Sequence, residues 1–217
     1  MDLFHNSVFP LARETPQGSF ILGTCFSIEK PGHFATALHV TGLSDQGLAV
    51  ALPNKSKIAG YQDSLIKSMD AASVKIVEAD PVHDICILKV LDNSTLFLKS
   101  QNVGTDRVSV GESVFLVGYP HATDNRTILT YQETIIGAKT LLYHSNIASK
   151  HIVINLQTSP GQSGSPVFRK SNTDLIGIVT GAHLSPSQAG FQFGSVNPAY
   201  LNQTTYVVSS EYLAKML

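Results

Sequence analysis

The sequence is short of charge, of cysteine and of long apolar runs, and each shortage narrows what the protein can be. Charged side chains make up 14% of the 217 residues, with 15 basic residues set against 16 acidic ones for a formal net charge of −1. A phosphate-binding surface needs clustered Lys and Arg; no such run is present, so neither a nucleic-acid nor an anionic-membrane partner is expected. The 43% hydrophobic content excludes a disordered chain and is enough for a sizeable core. No apolar stretch is long enough to span a bilayer. Met1-Asp2-Leu3-Phe4-His5-Asn6 lacks the charged and apolar regions of a secretory leader. The expectation is a soluble chain without membrane insertion, either cytoplasmic, exported by a leaderless route or already processed. Cys25 and Cys86 stand far apart without C-x-x-C spacing, so no metal and no cofactor are expected. Buried thiols are the default, with one disulfide between them left open.

Helical periodicity is also scarce, and what is present is β. Short runs bounded by Gly, Pro, Asn or Asp follow one another from Phe20–Ile28 and Phe34–Leu38 through Ile85–Leu91, Ser113–Val117, Ile128–Ile136 and Ile152–Gln157. Val167–Arg169, Leu175–Thr180, Phe191–Val196 and Thr205–Val208 complete the series. Many short strands with frequent turns predict an all-β sandwich or barrel. Residues 1–18, with Pro10, Pro16 and Gly18, read as an irregular lead-in. A lapse in the pattern around Gln101–Arg107 divides the strands into two similar sets, residues 19–103 and 104–217. Ser209 or Ser210 is placed to cap a last short helix through Glu211, Leu213 and Met216.

Three segments carry chemistry. In Thr158-Ser159-Pro160-Gly161-Gln162-Ser163-Gly164-Ser165, a serine stands between glycines after a turn proline. Gly161 is free to take the φ that puts its N–H beside that of Ser163, and two converging donors form an oxyanion hole worth roughly 3–4 kcal/mol per donor. A serine hydroxyl needs a neighbouring base, usually a histidine oriented by a carboxylate. His39 closes the apolar run Phe34–Leu38, and Asp84 opens the buried run Ile85–Val90, where a charge requires a partner.

The order His39, Asp84, Ser163 is that of chymotrypsin-type proteases. Thr36-Ala37-Leu38-His39-Val40 resembles the T-A-A-H block of that family. Asp84-Ile85-Cys86-Ile87-Leu88-Lys89-Val90 resembles D-I-A-L-L-K-V, and Gly161-Gln162-Ser163-Gly164-Ser165-Pro166 resembles G-N-S-G-G-P. Gly23-Thr24-Cys25-Phe26-Ser27-Ile28 and Leu175-Ile176-Gly177-Ile178-Val179-Thr180 are similar to strands of the bacterial HtrA/Deg branch, although no PDZ-like segment follows.

The resemblance implies two six-stranded Greek-key β-barrels with a short C-terminal helix. It implies a serine endopeptidase acting on protein or peptide substrates, with His39 and Asp84 on the first barrel and Ser163 on the second. Ser163 would be the nucleophile, His39 the base and then acid, and Asp84 the orienting carboxylate. The N–H groups of Gly161 and Ser163 would form the oxyanion hole, with Gln162 placed by its backbone rather than its amide. Gln162 and Ser165 depart from the usual Asn and Gly, and Cys86 from the usual Ala. By the same resemblance Gln157 and Thr158 would lie near the floor of the primary pocket and Thr180, Gly181 and Ala182 along its wall, which implies neutral, small to medium side chains at the cleaved position. The alternative is a binding module of the same fold in which the triad is idle.

Overall fold

The computed structural model describes residues 4, 6–52, 60–63, 69–91, 100–124, 126–183 and 204–217. Strands β1 (Val8–Thr15), β2 (Gly18–Ser27), β3 (His33–Ala37), β4 (Leu48–Leu52), β5 (Asp70–Asp80) and β6 (Ile85–Val90) close into a barrel in the order β1-β2-β3-β6-β5-β4. A second closed barrel is built from β7 (Ser113–Gly118), β8 (Thr130–His144), β9 (Ile147–Ile154), β10 (Pro166–Arg169), β11 (Leu175–His183) and β12 (Thr204–Ser209). Its order, β7-β8-β9-β12-β11-β10, repeats the first strand for strand. One turn of helix, α1 (Leu38–Thr41), follows β3, and α2 (Glu211–Lys215) ends the chain.

Side chains alternate across a strand, and here both faces are buried. From β6, Cys86 and Leu88 fill the first barrel with Phe9, Leu11 and Cys25, while Ile85 and Ile87 face the other way. From β7, Val114 and Leu116 fill the second barrel, and Phe115 and Val117 face out. The outward sets meet in one apolar seam containing Phe26, Ile85, Ile87, Phe115, Val117 and Phe168. This double burial is why Ile85–Leu88 is continuously apolar rather than alternating.

The first barrel starts earlier than the sequence suggests. Residues 8–15, inside the expected lead-in, are β1, which pairs with both β2 and β4. Pro10 argues against a strand, but its ladder with β4 begins only at Leu11, so one side of the strand has no partner where the N–H is missing. Strand β8 runs on to His144, beyond the expected end at Ile136, and β9 begins at Ile147. The expected strand Phe191–Val196 lies outside the described residues. Ser210 precedes α2 without a side-chain cap. Its hydroxyl donates to Leu175 O (3.0 Å) and accepts the Gly104 N–H (3.2 Å), and Ser209 Oγ accepts the Thr105 N–H (2.9 Å), so both serines anchor the inter-barrel connector. Among the described residues no helix is long and apolar enough to cross a membrane.

Cys25 and Cys86 are unpaired and fully buried. Burial pushes the Cys86 thiol up to about 11 and the Cys25 thiol higher still. Neither should react with an aromatic disulfide reagent at neutral pH in the native protein, and both should titrate on addition of guanidinium.

His151 in β9 is buried, with Nδ1 3.1 Å from Ser149 O. Burial lowers its pKa, against the opposing pull of that hydrogen bond; His83 lowers it further and Asp84 raises it. The native state therefore binds fewer protons than the unfolded chain just below the ordinary imidazole range, and stability falls as pH drops from about 6.5. Urea midpoints measured between about pH 7.5 and 5 should decline, and His151→Gln should flatten the decline.

Candidate active site

The first barrel brings His39 and Asp84 together through strand pairing. The β3–β6 ladder ends with Ala37 opposite Ile85, so the residues just outside it, Leu38 and Asp84, are neighbours, and the Leu38 N–H donates to Asp84 O (3.0 Å). The chain turns at once into α1, which Gly42 ends in the left-handed conformation with its N–H on Leu38 O (3.2 Å). This places His39 over the carboxylate. Its N–H donates to Asp84 Oδ1 (2.8 Å), and its Nδ1 lies 2.7 Å from Oδ2. A backbone donor thus fixes the carboxylate, and the carboxylate fixes the ring. With the proton on Nδ1, Nε2 is left as the acceptor. The imidazole is about half exposed, within reach of a ligand.

Asp84 has a φ of 57°, rare for a residue with a side chain, and its turn is braced from behind. Asp80 Oδ1 accepts the N–H groups of Val82 (3.0 Å) and His83 (3.1 Å), and Oδ2 pairs with His83 Nδ1 (2.5 Å). The His83 ring in turn stacks on Tyr212 of α2, with centroids 3.6 Å apart. The helix of the second barrel therefore supports the turn that presents Asp84.

The second barrel contributes the serine turn. Ser159–Gln162 has the features of a type II turn: Gln162 N–H donates to Ser159 O (3.1 Å), proline is second, and Gly161 is third with φ 97°. Gly161 is required on space as well, since a Cβ there would stand 2.5 Å from Tyr119 O and 2.8 Å from Ala122 N. A Cβ on Gly164 would lie 2.1 Å from Thr24 O and 2.3 Å from Thr36 Oγ1. Gly161 is thus dictated by how closely the turn presses on the Tyr119–Ala122 segment, and Gly164 by how closely it presses on β2 and β3.

Each backbone carbonyl from Ser159 to Ser163 has a partner. Ser159 O takes Gln162 N–H, Pro160 O takes His121 N–H (2.7 Å), and Gly161 O takes the Thr24 hydroxyl (2.8 Å). Gln162 O takes Ser165 N–H (3.0 Å), and Ser163 O takes Thr24 N–H (2.9 Å). Gly164 N–H donates to Val179 O (2.8 Å), and Ser159 N–H to Gln162 Oε1 (2.7 Å). Within this segment and among the described residues, the N–H groups of Gly161 and Ser163 alone have no acceptor.

Gln162 departs from expectation, because its amide as well as its backbone places it. The side chain is fully buried, with Oε1 on the Ser159 N–H and Nε2 donating to Gln132 Oε1 on β8. A buried amide must be satisfied, and glutamine's extra methylene carries it across to a second amide. Ser165 is also fully buried, its Oγ against Gly118.

The two halves meet over Gly23. A Cβ there would stand 2.8 Å from Val40 Cγ1 and 2.9 Å from Ser163 O, so the residue after His39 and the carbonyl of Ser163 share one neighbour. The Ser163 hydroxyl makes no hydrogen bond among the described residues, and the polar contacts of His39 are to Asp84.

Of the expected pocket residues, Gln157 is exposed, and Thr158 is half-buried with Oγ1 3.1 Å from Thr205 Oγ1. Thr180, Gly181 and Ala182 follow Val179 along β11, beside the serine turn, and a Cβ on Gly181 would meet open space. Sequence reasoning did not single out Thr24, Asp80, His121, Gln132 or Tyr212 for these contacts. Only Asp80 carried a local signal, as the Asp of an Asp-Pro turn two residues before Val82.

A family model described as a trypsin-like peptidase domain matches residues 23–178. No curated protein matches the chain in sequence. Among solved structures, the fold is similar to the apo MamO protease domain from Magnetospirillum magneticum (TM-score 0.70, 15% identity, 98% of this chain and 96% of that one). It is also similar to the active form of the Rv3671c protease from M. tuberculosis (TM-score 0.64, 19% identity, 98% and 80%). A third similar structure is the HtrA-type protease AlgW with a decapeptide (TM-score 0.67, 18% identity, 97% and 63%). At these identities the likeness is one of fold, which agrees with the paired six-stranded barrels. The matched span takes in the His39 helix, the Asp84 turn and the Ser163 turn and exceeds half of the sequence: the chain belongs to the trypsin-like peptidase domain family.

Proposed function

We propose that the protein is a serine endopeptidase that cleaves peptide bonds through His39, Asp84 and Ser163. The observation that carries this reading is the turn around Ser163, whose carbonyls are all occupied while the Gly161 and Ser163 N–H groups are left without acceptors, with Ser163 O and Val40, the residue after the Asp84-held His39, both against Gly23. Buried N–H groups are rarely left unpaired without a function, and two side by side suit the negative oxygen of a tetrahedral intermediate.

In this mechanism Ser163 Oγ attacks the substrate carbonyl carbon as its proton passes to His39 Nε2. The N–H on Nδ1 stays on Asp84 Oδ2, which stabilises the imidazolium without taking the proton. The carbonyl oxygen becomes an oxyanion held by Gly161 and Ser163. On collapse, His39 returns the proton to the departing amine, leaving Ser163 acylated. A water molecule then repeats the sequence, with His39 again accepting a proton, and releases the carboxylate product and the free hydroxyl. No metal or cofactor enters these steps.

For specificity, Gln157, Thr158, Thr180, Gly181 and Ala182 include no charged side chain, and among the described residues nothing lies within 4 Å of a Cβ placed on Gly181. A neutral residue of small to medium size should occupy the primary pocket. A positional peptide library should show that preference, and selection for Arg, Lys or Glu would contradict it.

The central test is labelling with a fluorophosphonate, which should mark the wild-type protein on Ser163 and fail in Ser163→Ala and His39→Ala. Peptidase activity in those variants should fall by roughly four to six orders of magnitude. Gly161→Ala, which drives a Cβ onto Tyr119 O, should lower kcat by about 100-fold or more through the oxyanion hole. An unlabelled but folded wild-type protein would leave the idle binding module as the better description.

A further inference from the structure

We propose that Thr24, on β2 of the first barrel, is the positioning residue that holds the oxyanion-hole turn of the second barrel in its working shape. The inference rests on the endopeptidase reading above. Thr24 is fully buried and uses all its polar groups at the seam. Its N–H donates to Ser163 O (2.9 Å), and its hydroxyl donates to Gly161 O (2.8 Å) while accepting the Tyr119 N–H (3.2 Å). Its carbonyl accepts the Thr36 hydroxyl (2.7 Å), which ties it to β3, the strand leading to His39.

The consequence follows from peptide planarity. Because the C=O and N–H of a trans peptide point in opposite directions, holding a carbonyl fixes the orientation of the following N–H. The Gly161 N–H belongs to the Pro160–Gly161 peptide, whose carbonyl is held by His121 N–H. That leaves the far side of Gly161 to be controlled. Glycine has a broad choice of ψ, and the Thr24 hydroxyl removes the choice by seizing Gly161 O. By binding Ser163 O as well, Thr24 bonds the carbonyl of each residue whose N–H lines the hole.

The same hydroxyl takes the Tyr119 N–H, next to the Tyr119–Ala122 turn on which Gly161 rests. Tyr119 reaches back across the seam, its own hydroxyl on Val8 O (3.2 Å). Thr24 therefore touches neither substrate nor reacting atoms and acts through Gly161, Ser163 and Tyr119.

Two variants isolate the hydroxyl: Thr24→Val keeps the shape and the backbone N–H but removes Oγ1, and Thr24→Ser keeps Oγ. In fluorophosphonate labelling, Thr24→Val should lower the maximal inactivation rate by about tenfold or more with the half-saturating concentration within about twofold, and Thr24→Ser should restore it. Amide hydrogen exchange at Tyr119 and Gln162 should speed up in Thr24→Val and return to the wild-type rate in Thr24→Ser. Labelling and exchange both unchanged in Thr24→Val would overturn the proposal, as would an equal loss in Thr24→Ser. Should the wild-type protein fail to label at all, the endopeptidase reading falls, and the exchange comparison alone decides whether Thr24 orders the turn. If Thr24→Val does not fold, Thr24→Ala, which likewise removes Oγ1 and keeps the backbone N–H, is read in the same two ways.

Discussion

The site depends on a constraint at the serine turn: one short segment is pressed against β2, β3 and the Tyr119–Ala122 turn without any carbonyl from Ser159 to Ser163 going unpaired. Residues 159–165 meet it with donors drawn from widely separated places, His121 for Pro160, Thr24 for Gly161 and Ser163, and Val179 as acceptor for Gly164. Buried backbone groups cost free energy when left unmatched, so each such contact restricts the turn to one shape. What remains after these matches are the N–H groups of Gly161 and Ser163, left without acceptors as much by what surrounds the turn as by its own sequence.

That arrangement requires the barrels to be seated firmly against each other. The seam does this with apolar strand faces: Ile85 and Ile87 from β6 and Phe115 and Val117 from β7 lie in one cluster with Phe26 and Phe168. Apart from the exposed Lys89 and Ser113, the residues of β6 and β7 are buried. Cys86 fills the first barrel directly beyond Asp84, and Ile85 on the opposite face belongs to the seam. The stack of His83 on Tyr212 adds a clasp at the end of the seam, so the turn that carries Asp84 rests on a helix contributed by the other half.

Much of this was legible in the sequence because the signals are local. Apolar runs punctuated by Gly and Pro marked the strands, and His39, Asp84 and Ser163 each sit in a block whose neighbours fix a turn or a strand end. Ser159-Pro160-Gly161 announces a type II turn by the ordinary preferences of proline and glycine. What could not be read depends on distance. Thr24 lies 137 residues from the carbonyl it binds, and nothing within Gly23–Ile28 marks that threonine as different from any other strand residue. β1 was obscured by Pro10 and the polar residues that follow it, since its right to be a strand comes from β2 and β4. Ser209 and Ser210 had the look of helix caps, but the connector offered them better-placed backbone partners.

Gln162 gives the turn an unusual kind of anchor. The joint is neutral, the buried Gln162 amide meeting a partly buried amide and a peptide N–H. Ionic strength has no charge there to screen, and acid has no carboxylate there to discharge. Its set therefore rests on shape and neutral hydrogen bonds, in contrast to the charged Asp84 that holds His39 in the first barrel.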